Sequence, residues 1–146
     1  MKSLIRKVHS YIFIIIFTIL STNALAAVTQ WVKITSDSNI NHVYFGLDVE
    51  DMEASFIDCG YSCRLVKLHT TPFSSDGTLV IKLSNHCYGE RPVRLPFSII
   101  DGFLTTSLTT YYKTLGSEYC GFQDVSVVVT GDPRLETGYS INIISK

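Results

Sequence analysis

A chain of 146 residues with 12 basic and 13 acidic side chains is long enough to bury a core. It lacks the basic excess that a nucleic-acid binder uses to meet phosphate. No polybasic or amphipathic stretch follows residue 27, so attachment to a membrane surface is not expected either.

The first 26 residues read as a secretory signal. Lys2, Arg6 and Lys7 precede a ten-residue apolar run, YIFIIIFTIL at 11–20, and small residues follow up to Ala24-Leu25-Ala26. The run is shorter than the roughly 20 residues that span a bilayer. Cleavage before Ala27 is expected, leaving residues 27–146 as a single exported β-domain with no stable membrane insertion. All three basic residues lost belong to the signal and no acid is lost. The net charge therefore moves from −1 to −4, with nine basic against thirteen acidic residues.

Beyond the signal, apolar residues recur with a period of two, and Val, Ile, Thr and Tyr are plentiful. VTQWVKIT at 28–35 is a strand with Trp31 as its core anchor. Val43, Phe45, Leu47 and Val49 form a second stripe. Leu79, Ile81 and Leu83 form a third, and Val93, Leu95, Phe97 and Ile99 a fourth. Pro92 and Pro96 have no N–H to give to a ladder, which places that fourth stripe at a sheet edge. Val125, Val127 and Val129 make another, and Tyr139, Ile141 and Ile143 the last. Turn residues separate these runs at Asn39-Ile40-Asn41, at 74–77 and at 131–133. Asp101-Gly102 is the two-residue signal of a tight hairpin. Residues 50–56 have the spacing of one short helix. Residues 103–115 place Leu104, Leu108, Tyr111, Tyr112 and Leu115 on one helical side, yet five threonines favour a strand. The expectation is an all-β fold: an antiparallel sandwich or small barrel of about seven or eight strands, reinforced by disulfides.

Four cysteines, Cys59, Cys63, Cys87 and Cys120, all follow the signal, and export makes two disulfides the default. Sequence leaves three pairings open. In one straight strand Cys59 and Cys63 would sit about 13 Å apart, beyond a disulfide's reach, so bonding them requires a turn at Gly60-Tyr61-Ser62. A three-residue hairpin loop then pairs Asp58 with Arg64, Ile57 with Leu65 and Phe56 with Val66. One opposite-charge pair and two apolar pairs suit an antiparallel ladder. This favours Cys59–Cys63, with Cys87–Cys120 by elimination; two long-range bonds are the rival.

Other chemistry is thin. Cys59, Cys63, His69, His86 and Cys87 are soft ligands, but their spacing matches no zinc pattern, and no metal is expected. No C-x-x-C redox motif or C-x-x-C-H haem site occurs, and there is no hydrolase, phosphate-loop or dinucleotide signature. No cofactor and no catalytic residue is expected. No spacing singles out His42, His69 or His86. Asp48, Glu50, Asp51, Glu53 and Asp58 crowd one short span without the glycine-punctuated pattern of a calcium loop. They suit a solvated face, or one that meets a basic partner; Lys82, Arg91 and Arg94 are the only answering basic group.

Tyrosine placement points to recognition. Tyr61 lies between two cysteines, Tyr88 follows Cys87, and Tyr119 precedes Cys120. Tyr on a rigid loop offers much contact area at low entropy cost; the plainer role for these rings is to cover the disulfides. The leading expectation is a non-enzymatic, periplasmic or secreted domain that binds a protein or glycan through these loops. The alternatives are a structural subunit that oligomerises by strand addition, as pilus subunits do, and an inhibitor or immunity-type protein acting on an exported enzyme through the acidic 48–58 face.

Overall fold

The period-two stripes are strands, ten in chain order. They are β1 (Thr29–Ser36), β2 (Val43–Glu50), β3 (Met52–Asp58), β4 (Cys63–Thr70), β5 (Asp76–Asn85), β6 (Arg91–Ile100), β7 (Phe103–Thr105), β8 (Thr110–Ser117), β9 (Gly121–Gly131) and β10 (Tyr139–Ser145). The structure, a computed structural model, describes residues 27–37, 43–87 and 89–146. The signal at 1–26, the turn at Asn39-Ile40-Asn41, His42 and Tyr88 lie outside the described residues. Among the described residues there is no helix.

The strands form a sandwich of two sheets: six strands in the order β3-β4-β1-β10-β9-β8, and four in the order β2-β5-β6-β7. Neighbours are antiparallel throughout, except that β1 and β10 run parallel. The core lies between the two inner faces. Val32, Ile34, Val66, Leu68, Val127, Ile141 and Ile143 come from the larger sheet, and Leu79, Ile81, Leu83, Val93, Leu95 and Phe97 from the smaller. Tyr139 is buried among them, its ring edge-on to Phe97 at 5.7 Å. Its hydroxyl accepts from the Thr106 N–H at 3.0 Å, so the one polar atom of a core aromatic is satisfied.

Both ambiguous segments resolve into strands, which raises the number from seven or eight to ten. Residues 50–56 hold no helix; they form a corner between the sheets. β2 ends at Glu50, Asp51 turns the chain with φ 58°, and β3 then pairs with β4 along its whole length. Aspartate tolerates the left-handed region better than most residues, and seven cross-strand pairs outweigh one or two turns of helix. Residues 103–115 split into β7 and β8 with an irregular link at 106–109.

Trp31 is not the core anchor. Val32 and Ile34 are fully buried, so strand alternation turns Trp31 to the outer face of the larger sheet, where it is half-buried beneath Lys67. The prolines sit as their chemistry requires. β7 matches only Ser98, Ile99 and Ile100 of β6, which leaves the stretch before them with one partner. The Ile99 N–H donates towards β5, to Ser75 O, so odd-numbered residues of β6 donate on that side. Pro92 and Pro96 are even-numbered, and their missing N–H groups face the unpaired edge.

Candidate functional site

Strand directions gather the cysteines at one end of the sandwich. In the larger sheet β3 and β8 run the same way, so the loops that follow them, at 59–62 and 118–120, lie together at that end. The Cys87–Cys120 bond brings the loop after β5 to the same place. Cys59 pairs with Cys63 at a Cα separation of 5.1 Å, and Cys87 with Cys120 at 5.9 Å, the pairing that the hairpin register favours. All four sulfurs are used, so none is a thiolate for a metal or for redox exchange. Among the described residues no three His, Cys, Asp or Glu side chains converge. The two disulfides are compatible with an oxidising, exported location.

The β3–β4 hairpin is built from the residues that the sequence pairs: Phe56 opposes Val66, Ile57 opposes Leu65, and Asp58 opposes Arg64. The guanidinium of Arg64 reaches the Asp58 carboxylate at 2.8 Å. Gly60 and Ser62 take positive φ to close the tip. At that tip Tyr61 is 84% exposed, and Phe56 and Ile57 are 46% and 49% exposed. The sequence pairs these two residues correctly without showing their exposure, because β3 is the outermost strand and has no neighbour beyond it. Tyr119 is fully exposed on the β8–β9 hairpin. Tyr61 and Tyr119 thus share an end of the molecule but not a site. Four strand spacings, roughly 19 Å measured along the sheet, separate their hairpins.

The acidic span is largely committed within the chain. Asp48 pairs with Lys82 at 3.2 Å, Glu50 with Arg94, and Asp58 with Arg64. The hydrogen bond from Lys82, then the Val49 N–H, holds the Asp48 carboxyl below its usual range. Together the first two pairs roof Val80, which points away from the core yet is buried. Of the five acids, only Asp51 and Glu53 stand outside these ion pairs.

The opposite end carries a feature that no spacing in the sequence signals. An open hollow of about 500 Å³ lies between the β6–β7 hairpin and the 132–138 loop, lined by Ile100, Phe103, Leu108, Pro133, Arg134 and Tyr139 among others. The Arg134 guanidinium at its rim is already paired with Asp132 at 3.3 Å. No histidine or cysteine lines it, so it offers neither a nucleophilic thiol nor an imidazole base. Comparison with protein-family models, with curated proteins and with solved structures finds no match to this chain.

Proposed function

We propose that the protein is an exported, non-enzymatic binding domain, periplasmic or secreted, that recognises a protein or glycan through the stapled β3–β4 hairpin. One observation carries this reading: Tyr61 stands almost fully exposed on a loop that Cys59–Cys63 closes covalently, with Phe56 and Ile57 exposed just below it. Such a tip loses little conformational freedom on binding, and its aromatic and aliphatic surface is what an interface core uses. The test is a photo-reactive benzophenone side chain installed at position 61, with the same group at Tyr112 on the far edge strand as control. Adducts formed in the producing cells from position 61 and not from 112 support the reading. Absence of adducts at 61, or equal labelling at both positions, overturns it.

A second reading, assembly by strand addition, rests on β3 itself. It is an outermost strand with no proline, and both its exposed apolar residues lie at its end. Ordered multimers in sedimentation velocity that a proline at Ala54, whose N–H faces away from β4, abolishes would favour it over recognition by the tip. The inhibitor reading has less support, because three of the five acids it needs are held by the chain's own cations.

A further inference from the structure

The hollow at the end away from the disulfides has walls that the backbone holds in place. The β6–β7 hairpin turns in two residues, Asp101 and Gly102, both at positive φ, so Ile100 and Phe103 face each other directly across the ladder. Leu108 comes from the link at 106–109, which is tied to β9 where the Val129 N–H donates to Thr109 O at 2.8 Å. Pro133 stands opposite, on a loop closed by the Leu135 N–H donating to Asp132 O and the Gly138 N–H donating to Leu135 O. Ile100, Phe103 and Leu108 are 54%, 38% and 60% exposed, so solvent reaches these walls. A volume of about 500 Å³ is that of a small-molecule site.

The polar groups around the hollow decide what charge it accepts. Thr105 donates its hydroxyl proton to Phe103 O at 3.1 Å, and Thr106 donates to Pro96 O at 2.7 Å. The Tyr139 hydroxyl is held by the Thr106 backbone. An anion would therefore find no free hydroxyl donor there. Nor would it find a free cation, since the Asp132 carboxylate accepts from both the Arg134 N–H and its guanidinium. That pair cancels. Asp101, at the tip of the tight hairpin, is the one lining charge outside the ion pairs and side-chain hydrogen bonds of the described residues. Glu136 on the facing loop, and thirteen acids against nine basic residues beyond residue 26, bias the field towards cations.

We propose that this hollow is a second binding site, distinct from the hairpin tip, and that its occupant is a small amphipathic amine. An aromatic or branched alkyl body rests against Ile100, Phe103, Leu108 and Pro133, and the ammonium is held by the Asp101 carboxylate. A neutral molecule of the same shape gains the walls alone, and a carboxylate meets Asp101 as a like charge.

The test follows amide proton–nitrogen correlation spectra of the disulfide-bonded protein during titration with phenylbutylamine, phenylbutanol and phenylbutanoate, which share one body and differ in charge. Saturable shifts centred on residues 100–108 and 131–139 are expected, tightest for the amine, weaker for the alcohol and absent for the carboxylate. Salt should narrow the gap between amine and alcohol. Asp101→Asn keeps the turn, because asparagine also tolerates the left-handed region. It should weaken amine binding roughly fivefold, as an exposed charge contact of about 1 kcal/mol predicts, and leave the alcohol unchanged. Leu108→Ala should weaken amine and alcohol alike, roughly fourfold. No saturable shift with the amine, shifts centred elsewhere, equal or tighter binding of the alcohol or carboxylate, or unchanged amine binding in Asp101→Asn overturns the proposal. Replacing Tyr61 with Ser leaves amine binding unchanged, so loss of either site is distinguishable from loss of the other.

Discussion

Cys59–Cys63 spans four residues within one hairpin of the larger sheet, whereas Cys87–Cys120 spans 33 and ties the loop after β5 of the smaller sheet to the far hairpin of the larger one. Both bonds lie at the same end of the sandwich, so compartment and exposure do not separate them. What separates them is the conformational freedom each removes from the unfolded chain. Loop-closure entropy gives about 2 kcal/mol for the short loop and about 4 kcal/mol for the long one. The short bond closes a turn that the Phe56–Val66 and Ile57–Leu65 pairs already favour, so its main effect is local rigidity under Tyr61. The long bond ties the loop after β5 of one sheet to the β8–β9 hairpin of the other. One disulfide sets the presentation of a surface, and the other holds the sandwich closed.

Urea unfolding tests that contrast most directly. Cys87→Ser with Cys120→Ser should lower the unfolding free energy by about 4 kcal/mol. Cys59→Ser with Cys63→Ser should cost about 2 kcal/mol at most, and amide exchange should accelerate only around residues 56–66. Equal losses would break the comparison.

A smaller effect sharpens it through the glycines of the two hairpins. Gly116 on β8 has φ 115°, and a methyl there would overlap the Gly121 carbonyl oxygen on β9. Gly60 has φ 127° with nothing near its missing Cβ. Gly116→Ala should therefore cost about 3 kcal/mol, from backbone strain together with the clash. Gly60→Ala carries the strain alone, about 1 kcal/mol. A larger loss at Gly60 in thermal unfolding would mean that the short hairpin, not the long bridge, is the stiffer element.

The smallest expected change is at the ion pair below the tip. Asp58→Asn should cost less than about 1 kcal/mol, because the Asp58 side chain is largely exposed and water screens the pair. A double-mutant cycle with Arg64→Gln measures it; a coupling well above that value would give the hairpin a stabilising role that its edge position does not suggest.

Local pairs were legible in the sequence and distant ones were not. The register of 56–66 follows from a three-residue turn and a single disulfide, and the Asp101-Gly102 hairpin from two residues with turn preferences. Residues 50–56 misled because Met52 and Phe56 stand four apart, a spacing that suits a helix until β4 supplies a whole ladder. The acidic span reads as a solvated face with Lys82, Arg91 and Arg94 as its answering cations, and which acid each cation meets is not legible locally, because Lys82 and Arg94 lie 34 and 44 residues from Asp48 and Glu50.

By itself, then, the sequence determined the alternation, the turns and the β class and favoured the stapled hairpin, since each depends on residues within reach of one another along the chain. Only the tertiary structure decided which face of β1 is buried, that β1 and β10 run parallel, and that Phe56 and Ile57 lie on an outermost strand. It also decided that the loops bearing Tyr61 and Tyr119 share an end without sharing a site. The physical reason is the same in each case. Alternation says that a strand has two faces, but burial is settled by what packs against them, and those partners come from 30 to 110 residues away.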